Sequence, residues 1–395
     1  MNILDTNGLK RLLALLLVIL LAAAALVLFR PSRAADSATI SLESILLDDG
    51  QVSDAFARAL LPGQIEFPRD LGPHEDFQTE WWYYTGNLEG KEGRKFGYQF
   101  TIFRRALLPP DELVAPENSS AWRSNQVYLA HFTVSDIGND QFYYAERFSR
   151  EASGLAGAQA EPYRVWLEDW QVEAIAPQQV RLQAQTEEVT LDLVLQETRP
   201  PILHGDAGLS RKGPEPGNAS YYYSIIQQET MGTVTVNGDQ FQVTGLSWKD
   251  HEYSTSALSA GSSGWDWFSL QFDDGSGLML FEIRRDDGAL QTASSGSFIY
   301  PDGSTQHLEL SQWQLQILDT WTSRDSGAQY PAVWRLQIPD IDLELEGRPL
   351  MSDQELKVSS TYWEGAVAFE GSREGKPVNA QGYVEMTGYA GAIGR

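Results

Sequence analysis

The densest cluster of titratable side chains in the sequence is Trp248-Lys249-Asp250-His251-Glu252-Tyr253. In an extended segment, alternation puts Asp250 and Glu252 on one side and His251 on the other. A histidine held between carboxylates can have its charge and orientation fixed, which suits general acid–base work. The same cluster equally suits a structural polar network where two domains meet. A second candidate is Glu282, which in GLMLFEIRR shares strand parity with Leu278, Leu280 and Arg284. Facing inward, it is either a carboxyl that keeps its proton on an apolar wall or half of an ion pair with Arg284 or a cross-strand base. Glu80, Asp266 and Glu364 each stand beside tryptophan. Their recurrence suggests hydrogen bonds that close a barrel more than catalysis. His131, mid-strand among Leu129, Phe132 and Val134, reads as a satisfied core or pocket residue; His204 falls in a Pro/Gly loop, and His307 reads as exposed. No HExxH, EF-hand loop, P-loop, dinucleotide fingerprint or G-x-S-x-G elbow occurs, so neither a metal site nor an organic cofactor is expected.

The elements that must carry these residues are strands. An aromatic hairpin is written twice, as TEWWYYTGNLEG with FGYQFTIFR around Thr79–Arg104 and as GWDWFSLQFDDGSGLMLFEIR over Gly264–Arg284. Each copy opens with a carboxylate among tryptophans and returns to arginine. Alternation then predicts two aromatic-walled interiors suited to apolar ligands, with Trp81, Trp82, Trp248, Trp265, Asp266, Trp267 and His131 as candidate ligand-binding residues. Short β-branched or aromatic runs bounded by Gly, Asn, Asp or Pro fill most of the remainder, and Asn237-Gly238 between two of them is a hairpin signal. The fold class is therefore all-β: two tandem antiparallel β-barrels of eight to ten strands each, with a boundary near Tyr253–Ser263. A helical turn is expected near Ser53–Leu60, a short helix or loop over Ser149–Glu161, and no regular structure over Pro200–Gly217.

Lys10 and Arg11 precede an uncharged apolar run, Leu12–Phe29, followed by Arg30 and Arg33. It reads as a signal peptide cleaved after Ala34 or as an uncleaved N-terminal membrane anchor; both export the rest, to the periplasm or beyond. The expected organisation is residues 1–34 for this segment, 35–72 for an extended lead-in, 73–255 for the first barrel and 256–395 for the second. With 29 basic and 54 acidic residues, a net charge of −25, the chain lacks the basic surface that nucleic acid requires. The absence of cysteine excludes disulfides, thiol catalysis and a lipid-modified N-terminal cysteine.

Five ordered motifs, HEDFQTEWWYYTGNL, YYYSIIQQETMGTVTVNGDQFQVTGLSWKDHEYS, GWDWFSLQFDDGSGLMLFEIRR, YWEGAVAFEG and GYVEMTGYAG, resemble the tandem lipocalin-like family of carotenoid 1,2-hydratase (hydroxyneurosporene synthase) and the AttH-type secreted proteins. The resemblance spans about Pro73 to Gly391 and implies two lipocalin-like barrels with an apolar cavity. It also implies a catalytic set: the Asp-His pair falls on Asp250-His251, its aromatic on Tyr253, and the later acid on Glu282, with Glu where the family has Asp. In the hydratase reading Glu282 protonates an isoprenoid double bond, Tyr253, Trp265 or Trp267 faces the cation, and Asp250-His251 holds the water. The rival readings are a non-catalytic carrier of a polyene or lipid, and a secreted hydrolase.

Overall fold

The alternation of aromatic and polar residues is realised as two curled antiparallel sheets in the computed structural model, which describes residues 55–113, 124–255, 258–259 and 261–391. All of these belong to one unit, Ser41–Arg395. The apolar run Leu12–Phe29 lies outside the described residues, and among those described no helix is long and apolar enough to cross a membrane.

The first sheet has thirteen strands. The first aromatic hairpin is β1 (Thr79–Gly90) and β2 (Lys95–Ala106), extended by β3 (Gln126–Asp136) and β4 (Gln141–Arg150). A meander follows in β5 (Ala156–Gln159), β6 (Arg164–Leu167), β7 (Trp170–Ala176), β8 (Gln179–Gln185) and β9 (Val189–Glu197). Then come the short β10 (Ile202–Leu203) and β11 (Leu209–Arg211) and the long hairpin β12 (Ala219–Val236) with β13 (Asp239–Ser254). Its turn is the expected one, with Asn237 at φ 50° and Gly238 at φ 90°, the left-handed conformation that a tight hairpin demands. β13 returns to pair with β1, and β3 and β4 curl back against β5 and β6.

The second sheet has ten strands and repeats the plan. The second aromatic hairpin, β14 (Ser262–Phe272) and β15 (Gly277–Arg285), is followed by β16 (Ser295–Ile299), β17 (Thr305–Glu309), β18 (Gln314–Thr322), β19 (Gln329–Ile338), β20 (Leu343–Pro349), β21 (Glu355–Lys357), β22 (Thr361–Arg373) and β23 (Lys376–Met386). Here β23 returns to pair with β14, as β13 does with β1. The fold is thus two lipocalin-like barrels.

Local expectations are partly corrected. Residues 57–60 form no helix, and Ser53 and Asp54 of the expected turn lie outside the described residues; Ser149–Glu161 holds a short 3-10 turn, Ala152–Gly154, and β5; and Pro200–Gly217 contributes β10 and β11. Pro and Gly shape that loop, yet its apolar Ile202 and Leu209 still gain by pairing with β12.

Each interior is packed with side chains, Trp82, Tyr84, Phe100 and Trp170 in the first and Phe268, Trp334, Trp363 and Phe369 in the second. A third cluster, including Tyr83, Tyr222, Trp248, Trp267 and Phe281, lies between the barrels. Gly97 permits the close approach there, because a Cβ would come within 2.5 Å of the Tyr383 hydroxyl and 2.8 Å of Ala366 Cβ. Ser135 donates to Gln354 Oε1 at 2.6 Å and Tyr83 to Glu364 Oε1 at 2.6 Å, so the seam is bonded as well as apolar.

Candidate active site

Strand parity decides which side chains reach the seam. β1 sends Trp81 and Tyr83 there and turns Glu80 and Trp82 inward; β13 sends Asp250 and Glu252 and turns His251 and Tyr253 away. The second barrel answers with Trp265 and Trp267 from β14, Phe281 and Ile283 from β15, Tyr362 and Glu364 from β22, and Glu385 from β23. Together with Lys212 they line a cleft of about 90 Å³ between the barrels. Four carboxyl groups in an aromatic-walled cleft is the chemically conspicuous feature of the molecule.

Their environments push these groups apart. Burial raises Asp250 to about 7, opposed by its donors: Tyr222 Oη at 2.7 Å on one oxygen, Trp248 Nε1 at 2.6 Å and Ser224 Oγ on the other. With three donors, Asp250 is equipped to be a carboxylate. Glu364 and Glu385 are cross-strand partners. Burial, then the neighbouring Glu385, raises Glu364 well above the usual range; burial raises Glu385 to about 8, with Trp265 opposing and Glu252 and Asp250 reinforcing. Two such groups side by side resist losing both protons. Glu364 Oε1 accepts from Tyr83, while its Oε2 has no hydrogen-bond partner among the described residues. Glu252 is ion-paired with Lys212 at 3.0 Å and accepts from Ser220.

The residues singled out from sequence divide among separate places. Trp81, Asp250, Trp265 and Trp267 line the cleft, and Trp248 sits behind Asp250 as its indole donor. His251, Tyr253 and Trp82 face the opposite side of the first sheet. There His251 Nε2 donates to Glu80 at 2.8 Å, its Nδ1 accepts from Tyr223 at 2.9 Å, and Tyr253 stacks on His74 at 3.5 Å. Burial holds His251 down at about 4, so it is neutral at pH 7. Glu282 and Asp266 are inside the second barrel, directly cross-strand from each other. The grouping of Glu282, Asp250, His251 and Tyr253 into one site is therefore not assembled: neighbours of opposite parity on a strand cannot share a face. His131 lies fully buried behind Tyr362. Glu80 has the closing role expected of it, whereas Glu364 faces the cleft.

His74, Glu80 and His251 bring metal-type donors together. Their lone pairs and protons are already committed: both histidines donate to Glu80 Oε1, Arg104 Nε occupies Oε2 at 2.8 Å, and His74 Nε2 lies 3.1 Å from Asp70. The guanidinium beside the carboxylate makes this a latch between lead-in and barrel.

Sequence reasoning passed over Glu385, Tyr362, Lys212 and Ser224, and gave His204 no role beyond its Pro/Gly loop. Glu385 carried a usable signal, a lone carboxyl in the apolar run YVEM, the same cue that drew attention to Glu282. Ser224 and His204 carried none. Their link to Asp250, through His204 Nε2 to Ser224 Oγ at 2.6 Å, depends on the loop folding over β12.

Fold and cleft together define a two-barrel lipocalin-like protein with an acid cluster at the seam. The chain belongs to the AttH-like family, whose profile matches residues 58–389. The crystal structure of an AttH protein from Nitrosomonas europaea superposes with a TM-score of 0.73 at 36% identity, covering 84% of this chain and 99% of that one. Kievitone hydratase of Fusarium solani subsp. phaseoli is 26% identical over 216 residues, 53% of this chain and 59% of the relative. The crystal structure of kievitone hydratase from Nectria haematococca has the same fold, with a TM-score of 0.63 at 15% identity over 84% of this chain and 93% of that one. Dehydratase asqC of Emericella nidulans is 23% identical over 218 residues, 52% of this chain and 60% of the relative. The match thus spans a little under two thirds of each of these curated relatives.

Proposed function

We propose that the chain is a hydro-lyase that adds water to, or removes it from, an apolar unsaturated molecule in the cleft between the barrels. The observation that carries this is the Glu364–Glu385 pair facing Asp250 across an aromatic-walled space. Kinship with a hydratase and a dehydratase, one reaction in two directions, agrees with it. A neutral carboxyl of the pair donates its proton to an alkene carbon, and the π electrons form the new C–H bond. The cation on the more substituted carbon faces Trp81, Trp265 and Trp267. Asp250 takes a proton from water as the water oxygen bonds to the cation. Every step uses side chains and water alone, and dehydration runs the same sequence backwards. The apolar run Leu12–Phe29 leads us to place this chemistry outside the cytoplasm, a reading that protease digestion of spheroplasts tests.

The test is incubation with kievitone, and with polyenes bearing a terminal isoprenoid double bond, in ¹⁸O-labelled water, followed by mass spectrometry. Turnover requires Asp250 ionised and the glutamate pair protonated, so the rate should rise as pH climbs through about 7 and fall again through about 8. Asp250→Asn should lose roughly 10²–10⁴ in rate while still binding. No label incorporation from any alkene, with an apolar molecule retained through purification, would leave a carrier instead.

A further inference from the structure

The seam holds a second polar chain that the hydro-lyase steps do not use. Tyr362, a cleft-lining residue of β22, has its hydroxyl 2.6 Å from His131 Nδ1 on β3. His131 Nε2 is 2.9 Å from Glu146 Oε2 on β4, its direct cross-strand partner. The histidine is fully buried and the edge of Phe103 covers it at 5.5 Å, whereas the Glu146 side chain is 23% exposed. Ser359 of the second barrel donates to the same Glu146 oxygen from backbone and hydroxyl. Burial raises Glu146, yet the bonds from His131 and Ser359 outweigh it and hold the carboxyl below its ordinary value. As a carboxylate it accepts from Nε2–H; Nδ1 is then the acceptor, and Tyr362 donates to it. The hydrogen bonds all point one way, from cleft to solvent.

We propose that Tyr362, His131 and Glu146 are a proton conduit between the cleft's glutamate pair and bulk water. Its inner end is Glu364, two residues from Tyr362 on the same face of β22 and lining the same cleft, with Oε2 unpartnered among the described residues; water entering the cleft is the proposed link between that oxygen and the tyrosine hydroxyl. An outward transfer puts a proton on the Tyr362 oxygen, moves the tyrosine's own proton to Nδ1, passes the Nε2 proton to Glu146, and releases it to solvent. His131 is left protonated at Nδ1, which orients the chain for the return transfer. The use of the conduit rests on the hydro-lyase reading: each dehydration leaves the pair with an extra proton, which the outward transfer removes, and each hydration leaves it one short, which the return transfer makes good. An apolar molecule plugging the mouth would block the direct route by which water could restore it.

The test is run with the mouth plugged by phytane, a saturated isoprenoid alkane with no double bond to react, so that exchange through the open cleft is closed off. The carbonyl stretch of protonated Glu364, assigned by its loss in Glu364→Gln, is followed by infrared spectroscopy after rapid transfer into D₂O. Exchange should slow at least about tenfold in Glu146→Gln and in His131→Phe, recover in Glu146→Asp, and stay unchanged in Glu344→Gln on the exposed face of β20. Glu146 lies at the rim, so its variant decides the matter even if His131→Phe does not fold. With the mouth plugged, exchange at the wild-type rate in Glu146→Gln would overturn the conduit, since protons would then reach Glu364 by some other path. Slowed exchange in a protein that hydrates no alkene would leave the conduit standing and remove only the hydro-lyase reading.

Discussion

Glu80 and Asp266 occupy the same place in the two aromatic hairpins, each an inward-facing carboxylate at the start of a strand that meets the last strand of its barrel, yet they have opposite electrostatic fates. Glu80 stands cross-strand from Arg104. Burial alone would raise it, but Arg104, His74 and His251 outweigh that and hold it well below the ordinary carboxylate range. Asp266 stands cross-strand from Glu282 instead. Its base is Arg284, with Nε 3.3 Å away and a guanidinium that also lies over the Tyr389 ring at 3.8 Å. Burial wins there: Asp266 is raised, and Glu282 is raised to about 7 by burial first and Asp266 second. One duplicated motif therefore yields a charged latch in the first barrel and a proton-retaining acid pair in the second, and the residue opposite on the return strand makes the difference.

Removing that opposite residue should have the largest effect. Arg104→Met leaves Glu80 buried without its main counter-charge, and breaking such a pair costs about 3–5 kcal/mol, readable as a shift in the urea midpoint. Arg284→Met should cost less than half as much, because Asp266 can meet the loss by keeping its proton. Equal losses would mean that the two hairpins are electrostatically equivalent after all.

How much of this could be read beforehand follows from parity. The repeated hairpins, the Asn237-Gly238 turn, the separation of Asp250 from His251, and the face that Glu282 shares with Leu278 and Leu280 are local features of a segment, and all are found. What joins different segments was not legible. The packing of both interiors and the opening of the cleft between barrels depend on how two sheets curl, and no local pattern states this. Glu364 was read as a barrel-closing group because it stands beside Trp363, whereas the seam turns it toward Tyr83 and Glu385. The histidine latch of the lead-in with Glu80 was not legible, since Asp70 and His74 gain meaning only beside β1 and β13.

The pH dependence of stability offers a middle-sized contrast. Glu282 has a raised value in the folded state, so its protonated form contributes stability at low pH that is lost as pH rises through about 7. Glu282→Gln keeps the acceptor for Trp313 without the charge, so relative to wild type it should gain on the order of 2 kcal/mol between pH 5 and pH 8. Glu80 has the reverse sign: its stabilisation is present above the ordinary carboxylate value and is lost as pH falls through its lowered one. Glu80→Gln should accordingly be most damaging at neutral pH and converge on wild type in acid. Urea titrations at several pH values would display the two slopes, and slopes of the same sign would break the contrast.

The smallest expected effect isolates what sets Glu282. Its side-chain donor among the described residues is Trp313 Nε1 at 3.3 Å, a long bond, and it opposes the upward push of burial and Asp266. A donor to a carboxylate favours the charged form, so Trp313→Phe should move the Glu282 titration upward, and the bond's length limits the change to less than about one unit. Stability is a poor readout here, because Trp313 packs in the second core and a smaller ring leaves a void. Carbon NMR of the Glu282 carboxyl reads the titration directly. Asp266→Asn should move the same signal downward, by deleting the neighbouring negative charge. If Trp313→Phe lowered the titration instead, the indole would be acting as an apolar wall rather than a donor, adding to the burial that, with Asp266, keeps on the second hairpin the proton that the first gives up.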